Sequence, residues 1–89
     1  MNLIDQKFEQ LRQKNQKAFI PFLTAGDPDM ESTLTLAQEL IQAGASILEI
    51  GFPYSDAIAD GPVIQASYTR ALEKGLKIDD VFAGIQKLA

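Results

Sequence analysis

The sequence contains neither cysteine nor histidine among its 89 residues. Without cysteine, this chain cannot form disulfides, use a thiolate nucleophile or bind zinc through sulfur. Without histidine, it also lacks the Ser-His-Asp and Cys-His catalytic groups and every His-ligated metal site. Any acid–base chemistry carried by these residues must therefore use carboxylates, lysine or tyrosine.

Long apolar runs and clusters of positive charge are missing as well. No run approaches the ~20 apolar residues of a membrane-spanning helix. The first residues resemble neither a secretory signal nor an Arg-rich transit peptide. The net charge of -4, without a basic cluster, argues against nucleic acid and anionic membranes as partners. We expect a cytoplasmic protein whose partners are small molecules or another protein.

The residues that are present are typical of one small globular domain over residues 1–89, with 46% hydrophobic and 22% charged residues. Their spacing predicts six elements. These are a helix over 3–13, a strand over 18–24, a helix beginning near 28 and ending at 44, a strand over 46–50, a helix from 61 or 62 to 75, and a helix from 78 onward. Asp27 is the predicted N-cap of the second helix, with Pro28 as its first residue.

Both predicted strands are short, continuous apolar runs joined through a helix. A helical crossover demands parallel pairing, and continuous apolar runs are typical of strands buried on both faces. Two strands cannot form a complete sheet of this kind. The sequence therefore predicts an α/β fold, either the opening part of a barrel or doubly wound sheet, or a module completed by association.

Glu49 is the most informative polar residue, because it lies inside the second apolar strand. A buried ionised carboxylate must find a partner, change its protonation state or react. Alternating strand geometry places Glu49 on the face that carries Phe22 in the first strand, which suits a flat apolar substrate. The alternatives are a carboxylate paired with lysine or arginine, and a Phe22 ring that only fills the core.

The loop after the second strand contains two further carboxylates and a tyrosine. Asp60, just before Gly61 and Pro62, indicates on its own a helix N-cap. Asp56 suits a surface turn, a partner contact or a cation ligand, although Ser67 stands where an EF-hand that began at Asp56 would need its glutamate. Tyr54 and Tyr68 fit packed rings or hydrogen-bond donors to a ligand.

Three segments of the sequence resemble two signature blocks of one protein family. They are residues 19–28 (FIPFLTAGDP), 48–56 (LEIGFPYSD) and 59–65 (ADGPVIQ). In their order and separation they resemble the α subunit of tryptophan synthase, and the resemblance covers essentially all 89 residues. It implies the N-terminal quarter of a TIM (β/α)8 barrel, preceded by a helix that covers the base of the barrel.

The resemblance also implies a function. The family is a lyase of tryptophan biosynthesis that cleaves indole-3-glycerol phosphate into indole and glyceraldehyde 3-phosphate without a cofactor, and it passes indole to a β subunit in a heterotetramer. By resemblance, Glu49 is the general acid–base and Asp60 accepts the indole N–H. Phe22 and Ile64 would line the indole pocket, and Asp56 would lie in the loop that meets the β subunit.

Two departures from the family pattern are visible. Ala57 stands where the family usually has proline, which should loosen the loop. A complete barrel needs about 250 residues, so we expect a fragment, or the observed part of a longer protein, that is inactive alone. The alternatives are a non-catalytic βα module that self-associates or binds a partner through its open sheet edge and loop, and another phosphate-handling barrel enzyme.

Overall fold

The computed structural model describes residues 2–55 and 58–88. Its elements, in chain order, are α1 (Leu3–Gln13), β1 (Phe22–Thr24), α2 (Met30–Gln42), β2 (Glu49–Gly51), a 3-10 turn (Ile58–Asp60), α3 (Gly61–Glu73) and α4 (Ile78–Leu88). The two strands pair in parallel, with Phe22 opposite Glu49 and Thr24 opposite Gly51. The predicted order of elements and the predicted parallel pairing are confirmed.

Helix α1 matches its predicted bounds and begins at a capped end, where the Asn2 side chain accepts a hydrogen bond from the Asp5 backbone N–H at 2.8 Å. None of its residues is buried. Its apolar side chains stay in solvent, with Leu3 82% and Phe8 40% exposed. The predicted one-sided helix is therefore present, but the described residues do not cover its apolar face.

The start of α2 differs from the prediction. Asp29, not Asp27, caps the helix by accepting from the Ser32 N–H at 2.7 Å. Asp27 and Pro28 precede the helix and are joined by a cis peptide bond. The capping prediction for Asp27 is wrong, because its carboxylate is held by Arg70 instead.

The strands are shorter than predicted, with three residues each. Pro21 stands just before β1, and its carbonyl accepts from the Glu49 N–H at 3.0 Å. Proline has no N–H to donate, which limits the ladder on this side. Both strands lie within one residue of the predicted segments, and their carboxyl ends lie side by side.

The buried residues collect on one side of the sheet. Leu23, only 7% exposed, and the half-buried Ile50 occupy the same face, since they are opposite each other in register. Helices α2 and α3 both contact β1, and α2 also packs against α4. The core comprises Leu23, Ala25, Ala37, Tyr68, Ala71 and Val81. On the opposite face, Phe22 and Glu49 are open to solvent, whereas Gly51 at the end of β2 is buried.

None of the helices within residues 2–55 and 58–88 has the length and hydropathy that a bilayer crossing requires.

Candidate active site

Glu49 and Phe22 lie opposite each other on the open face of the sheet. Phe22 is 38% exposed, and Glu49 is exposed too. The predicted shared face is confirmed, but the expected burial of Glu49 is not found, because the described residues leave its side chain in solvent. In this chain the carboxylate is a solvated acid beside an aromatic ring.

Gly51 ends β2 at a point of close approach. A Cβ placed on Gly51 would lie 2.5 Å from Phe22 Cζ and 2.8 Å from the Tyr68 hydroxyl oxygen. Only glycine lets both rings come this near to the strand. From the sequence, Gly51 only marked the start of a loop. The structure gives it a second role, which is to admit the Phe22 and Tyr68 rings at the carboxyl end of the strand.

Asp60 occupies the N-cap position of α3, yet its side chain makes no capping hydrogen bond. Its backbone is helical (φ -86°, ψ -6°), whereas capping side chains are typical of extended N-cap residues. Asp60 Oδ2 instead accepts a hydrogen bond from the Tyr54 hydroxyl at 2.9 Å. The prediction of a capping carboxylate is therefore wrong, and the Asp60 side chain is directed to other contacts.

Tyr68 connects the two carboxylates electrostatically. It is 5% exposed, and its ring centroid lies 5.4 Å from that of Tyr54. Burial raises the pKa of the Tyr68 phenol, and the negative charges of Asp60 and Glu49 raise it further. Both carboxylates therefore act on one phenol, which keeps that phenol protonated. The sequence left the role of Tyr68 open, although its spacing of four residues from Ile64 on one helix placed the two on a common face.

Phe22 and Ile64 line an open groove of about 250 Å³ beside β1. Glu49 and Asp60 are not among the residues that line it. The structure thus brings the predicted site residues together as two pairs, with Phe22 and Ile64 at the groove and the two carboxylates around Tyr68. Asp56, the predicted partner contact, and Ala57 lie outside the described residues.

Two parallel βα units, with an acid two residues before the carboxyl end of the second strand, resemble the arrangement in (β/α) barrel enzymes, whose sites lie at the carboxyl edge of the sheet. The family model described as "Tryptophan synthase alpha chain" matches residues 8–89. This chain belongs to that family, so the predicted family is confirmed.

Curated relatives resemble the chain over nearly its whole length. The tryptophan synthase alpha chain of Thermoanaerobacter sp. (strain X514) is 53% identical over 88 residues, which are 99% of this chain and 34% of the relative. The alpha chain of Synechocystis sp. is also 53% identical, over 33% of its length. The chain thus spans about a third of the length of the curated relatives it matches.

Solved structures give the same result for the fold. Tryptophan synthase subunit alpha from Legionella pneumophila str. Paris superposes with a TM-score of 0.93 at 42% identity, covering 98% of this chain and 33% of that one. A tryptophan synthase structure from M. tuberculosis, in an open form with BRD0059 bound, gives 0.88 at 32% identity, covering 94% and 34%. The predicted fold, part of a TIM (β/α)8 barrel preceded by a helix, is confirmed.

Proposed function

We propose that this chain supplies the first two βα units of a tryptophan synthase alpha active site, which cleaves indole-3-glycerol phosphate to indole and glyceraldehyde 3-phosphate. The observation that carries the proposal is the position of Glu49, exposed in solvent, opposite Phe22 and two residues before the carboxyl end of β2 at Gly51. Catalytic residues of barrel enzymes come from this edge. The family match supports the same reading.

Glu49 acts as the general acid–base. The reaction breaks the bond between indole C3 and the glycerol chain after C3 gains a proton and a glycerol hydroxyl loses one. The electron pair of that bond returns to the indole ring, and the hydroxyl carbon becomes the aldehyde. One carboxyl group that both gives and takes a proton can serve both steps, and no cofactor is required.

Asp60 accepts the indole N–H and stabilises the positive charge that develops when C3 is protonated. Support comes from its side chain, which does not cap α3 and accepts from Tyr54 through Oδ2. A carboxylate has about four acceptor positions, so one hydrogen bond from Tyr54 leaves room for the indole. Phe22 and Ile64 contact the apolar ring of the substrate.

The proposals for the partner subunit and the cellular location are based on the family to which the chain belongs. We propose that Asp56 contacts a β subunit in a cytoplasmic heterotetramer that receives the released indole. The 89-residue chain by itself lacks the barrel strands that would supply the phosphate site, since its relatives are about three times as long. We therefore expect no indole release from the isolated chain.

The test uses a hybrid chain, in which residues 1–89 replace the aligned residues of the Thermoanaerobacter sp. (strain X514) alpha chain. The hybrid chain should release indole from indole-3-glycerol phosphate at a rate within about tenfold of its parent, while the 89-residue chain releases none. Calorimetric titration of the 89-residue chain should show very weak binding. A micromolar dissociation constant, about -8 kcal/mol, would mean that these residues carry their own phosphate site and would contradict the proposal.

A second candidate is the non-catalytic module that associates through its open sheet edge. The exposure of Phe19 (49%) and Ile20 (42%) next to β1 favours it for the isolated chain. A hybrid chain that folds but releases no indole, together with a tightly self-associating 89-residue chain, would favour this second function over the first.

A further inference from the structure

We infer that four residues, Thr24, Asp27, Ser67 and Arg70, act together as positioning residues that hold α3 against the end of β1 and thereby place Ile64 and Asp60 at the active site. We call this group the α3 clamp. The inference rests on the proposed function, since it concerns how the residues of that site are oriented. It concerns residues that do not themselves touch the reacting atoms.

The outer part of the α3 clamp is a bidentate ion pair. Arg70 Nε donates to Asp27 Oδ1 and Arg70 Nη2 donates to Asp27 Oδ2, both at 2.9 Å. Two parallel hydrogen bonds between planar groups fix an angle as well as a distance. The guanidinium hydrogen bonds hold the pKa of Asp27 below its ordinary value, so the pair stays charged at neutral pH.

The inner part is a hydroxyl pair, with Thr24 Oγ1 and Ser67 Oγ 2.7 Å apart. Ser67 is 6% exposed, and its hydroxyl donates to the Ile64 carbonyl at 2.7 Å. A hydroxyl has one hydrogen to donate. Thr24 must therefore be the donor to Ser67, and the hydrogen bonds run in one direction from β1 through Ser67 to Ile64.

The two parts have matching spacing. Asp27 follows Thr24 by three residues, and Arg70 follows Ser67 by three, which is one turn of α3. The end of β1 and the turn that follows it therefore contact one face of α3 at two points. Two points of contact resist rotation of the helix as well as separation from the strand.

The α3 clamp lies beside the proposed substrate-binding residues. Its four members line the same groove of about 250 Å³ as Phe22 and Ile64. Asp60 stands at the N-cap position of the same helix. A shift of α3 would therefore move Ile64 and Asp60 together relative to Phe22, and a displacement of ~1 Å can cost about 100-fold in rate.

The exposure of Arg70 indicates whether loss of the ion pair mainly changes the orientation of α3 or mainly lowers the stability of the fold. The Arg70 side chain is 56% exposed, against 17% for Asp27. Ion pairs with one partner in solvent add little to folding stability. We therefore expect loss of the ion pair to reduce activity far more than it lowers the melting temperature.

The first test is Arg70→Lys in the hybrid chain, which keeps the positive charge but removes the planar fork. We expect kcat/KM for indole release to fall by at least about tenfold, while Tm stays within about 3 °C. The matched control is Arg12→Lys, at the exposed Arg12–Glu9 pair of α1, where the closest atoms are 3.3 Å apart. This control should leave kcat/KM unchanged. Unchanged kcat/KM in Arg70→Lys as well would overturn the inference.

The second test separates positioning from general loosening of the fold. If Arg70 acts through Asp60, then the double variant Asp60→Asn with Arg70→Lys should lower kcat/KM by a factor much smaller than the product of the two single-variant factors. Fully multiplicative losses would contradict an effect through Asp60.

A readout independent of catalysis is amide hydrogen exchange along α3 of the hybrid chain. Exchange should be faster in Arg70→Lys than in Arg12→Lys. If the hybrid chain releases no indole, the proposed function fails. The amide exchange rates would still show whether the α3 clamp holds the helix. Unchanged α3 exchange in Arg70→Lys would show that Arg70 does not hold the helix.

Discussion

The isolated 89-residue chain should not remain a compact monomer at micromolar concentration. Its accessible surface is 6392 Å². A folded monomer of 9.7 kDa exposes ~5,100 Å², so this chain shows about 1,300 Å² more than a compact protein of its mass. The radius of gyration of 14.4 Å likewise exceeds the ~12 Å expected for 89 residues.

The excess surface is large enough to drive association. Each partner in a specific interface buries ~800 Å², which is less than the excess. Much of the exposed apolar area lies on α1 and around β1, including Leu3, Ile4, Phe19, Ile20 and Phe22. Within residues 2–55 and 58–88 the sheet has two strands, so each strand also presents an unpaired edge to a second copy. Four copies would supply the eight strands of a closed barrel.

Sedimentation velocity measures the association state of the chain, and circular dichroism measures whether it unfolds cooperatively. We expect species larger than a monomer, and Phe19→Ser should weaken the association more than Ile78→Ser, a change at a 62% exposed position on α4. A monomer that unfolds cooperatively at the same concentration would refute the reasoning, because the open edges and the apolar surface would then carry no cost.

Two further predictions concern the stability of the hybrid chain. Gly26→Ala should destabilise it by about 1–3 kcal/mol through its φ of +83°, and by more because a Cβ there would lie 2.7 Å from Leu76 Cδ2. Gly75→Ala, with a φ of +80°, should cost less, because a Cβ there would meet no described residue within 4 Å apart from its chain neighbours. Equal denaturation midpoints for the two variants would contradict the overlap with Leu76. Arg70 lowers the pKa of Asp27 from 3.8, so the stability it adds is full above about pH 4 and is lost as the pH falls through the lower folded pKa. Asp27→Asn should remove this small contribution, so thermal melts of the variant should depend less on pH below about pH 4; an unchanged pH profile would contradict the lowered pKa of Asp27.

The helices were predictable because their apolar residues repeat with the period of a helix, and Gly44 and Gly75 mark two of their ends with positive φ. The capping of α2 was not predictable. Asp27 and Asp29 are equally good caps in sequence, and the choice depends on Arg70, which is 43 residues away from Asp27. Long-range ion pairs of this kind leave no local pattern.

The candidate site was predictable in part. Strand alternation placed Glu49 beside Phe22, since that needs only parallel pairing and register. The Tyr54 hydrogen bond to Asp60 and the approach of Tyr68 to Gly51 depend on how α3 packs, which no period in the sequence describes. The solvent exposure of Glu49 likewise depends on which elements cover the sheet.

The most direct test of the central claim is indole release by the hybrid chain with Glu49→Gln. Glutamine is nearly isosteric but cannot take a proton, so turnover should fall by at least about 100-fold while the fold is kept. Asp60→Asn should lose less, because an amide oxygen still accepts the indole N–H, and Glu39→Gln, at an exposed position on α2, should change nothing. Near-normal turnover in the Glu49→Gln variant would contradict the assignment of Glu49 as the general acid–base.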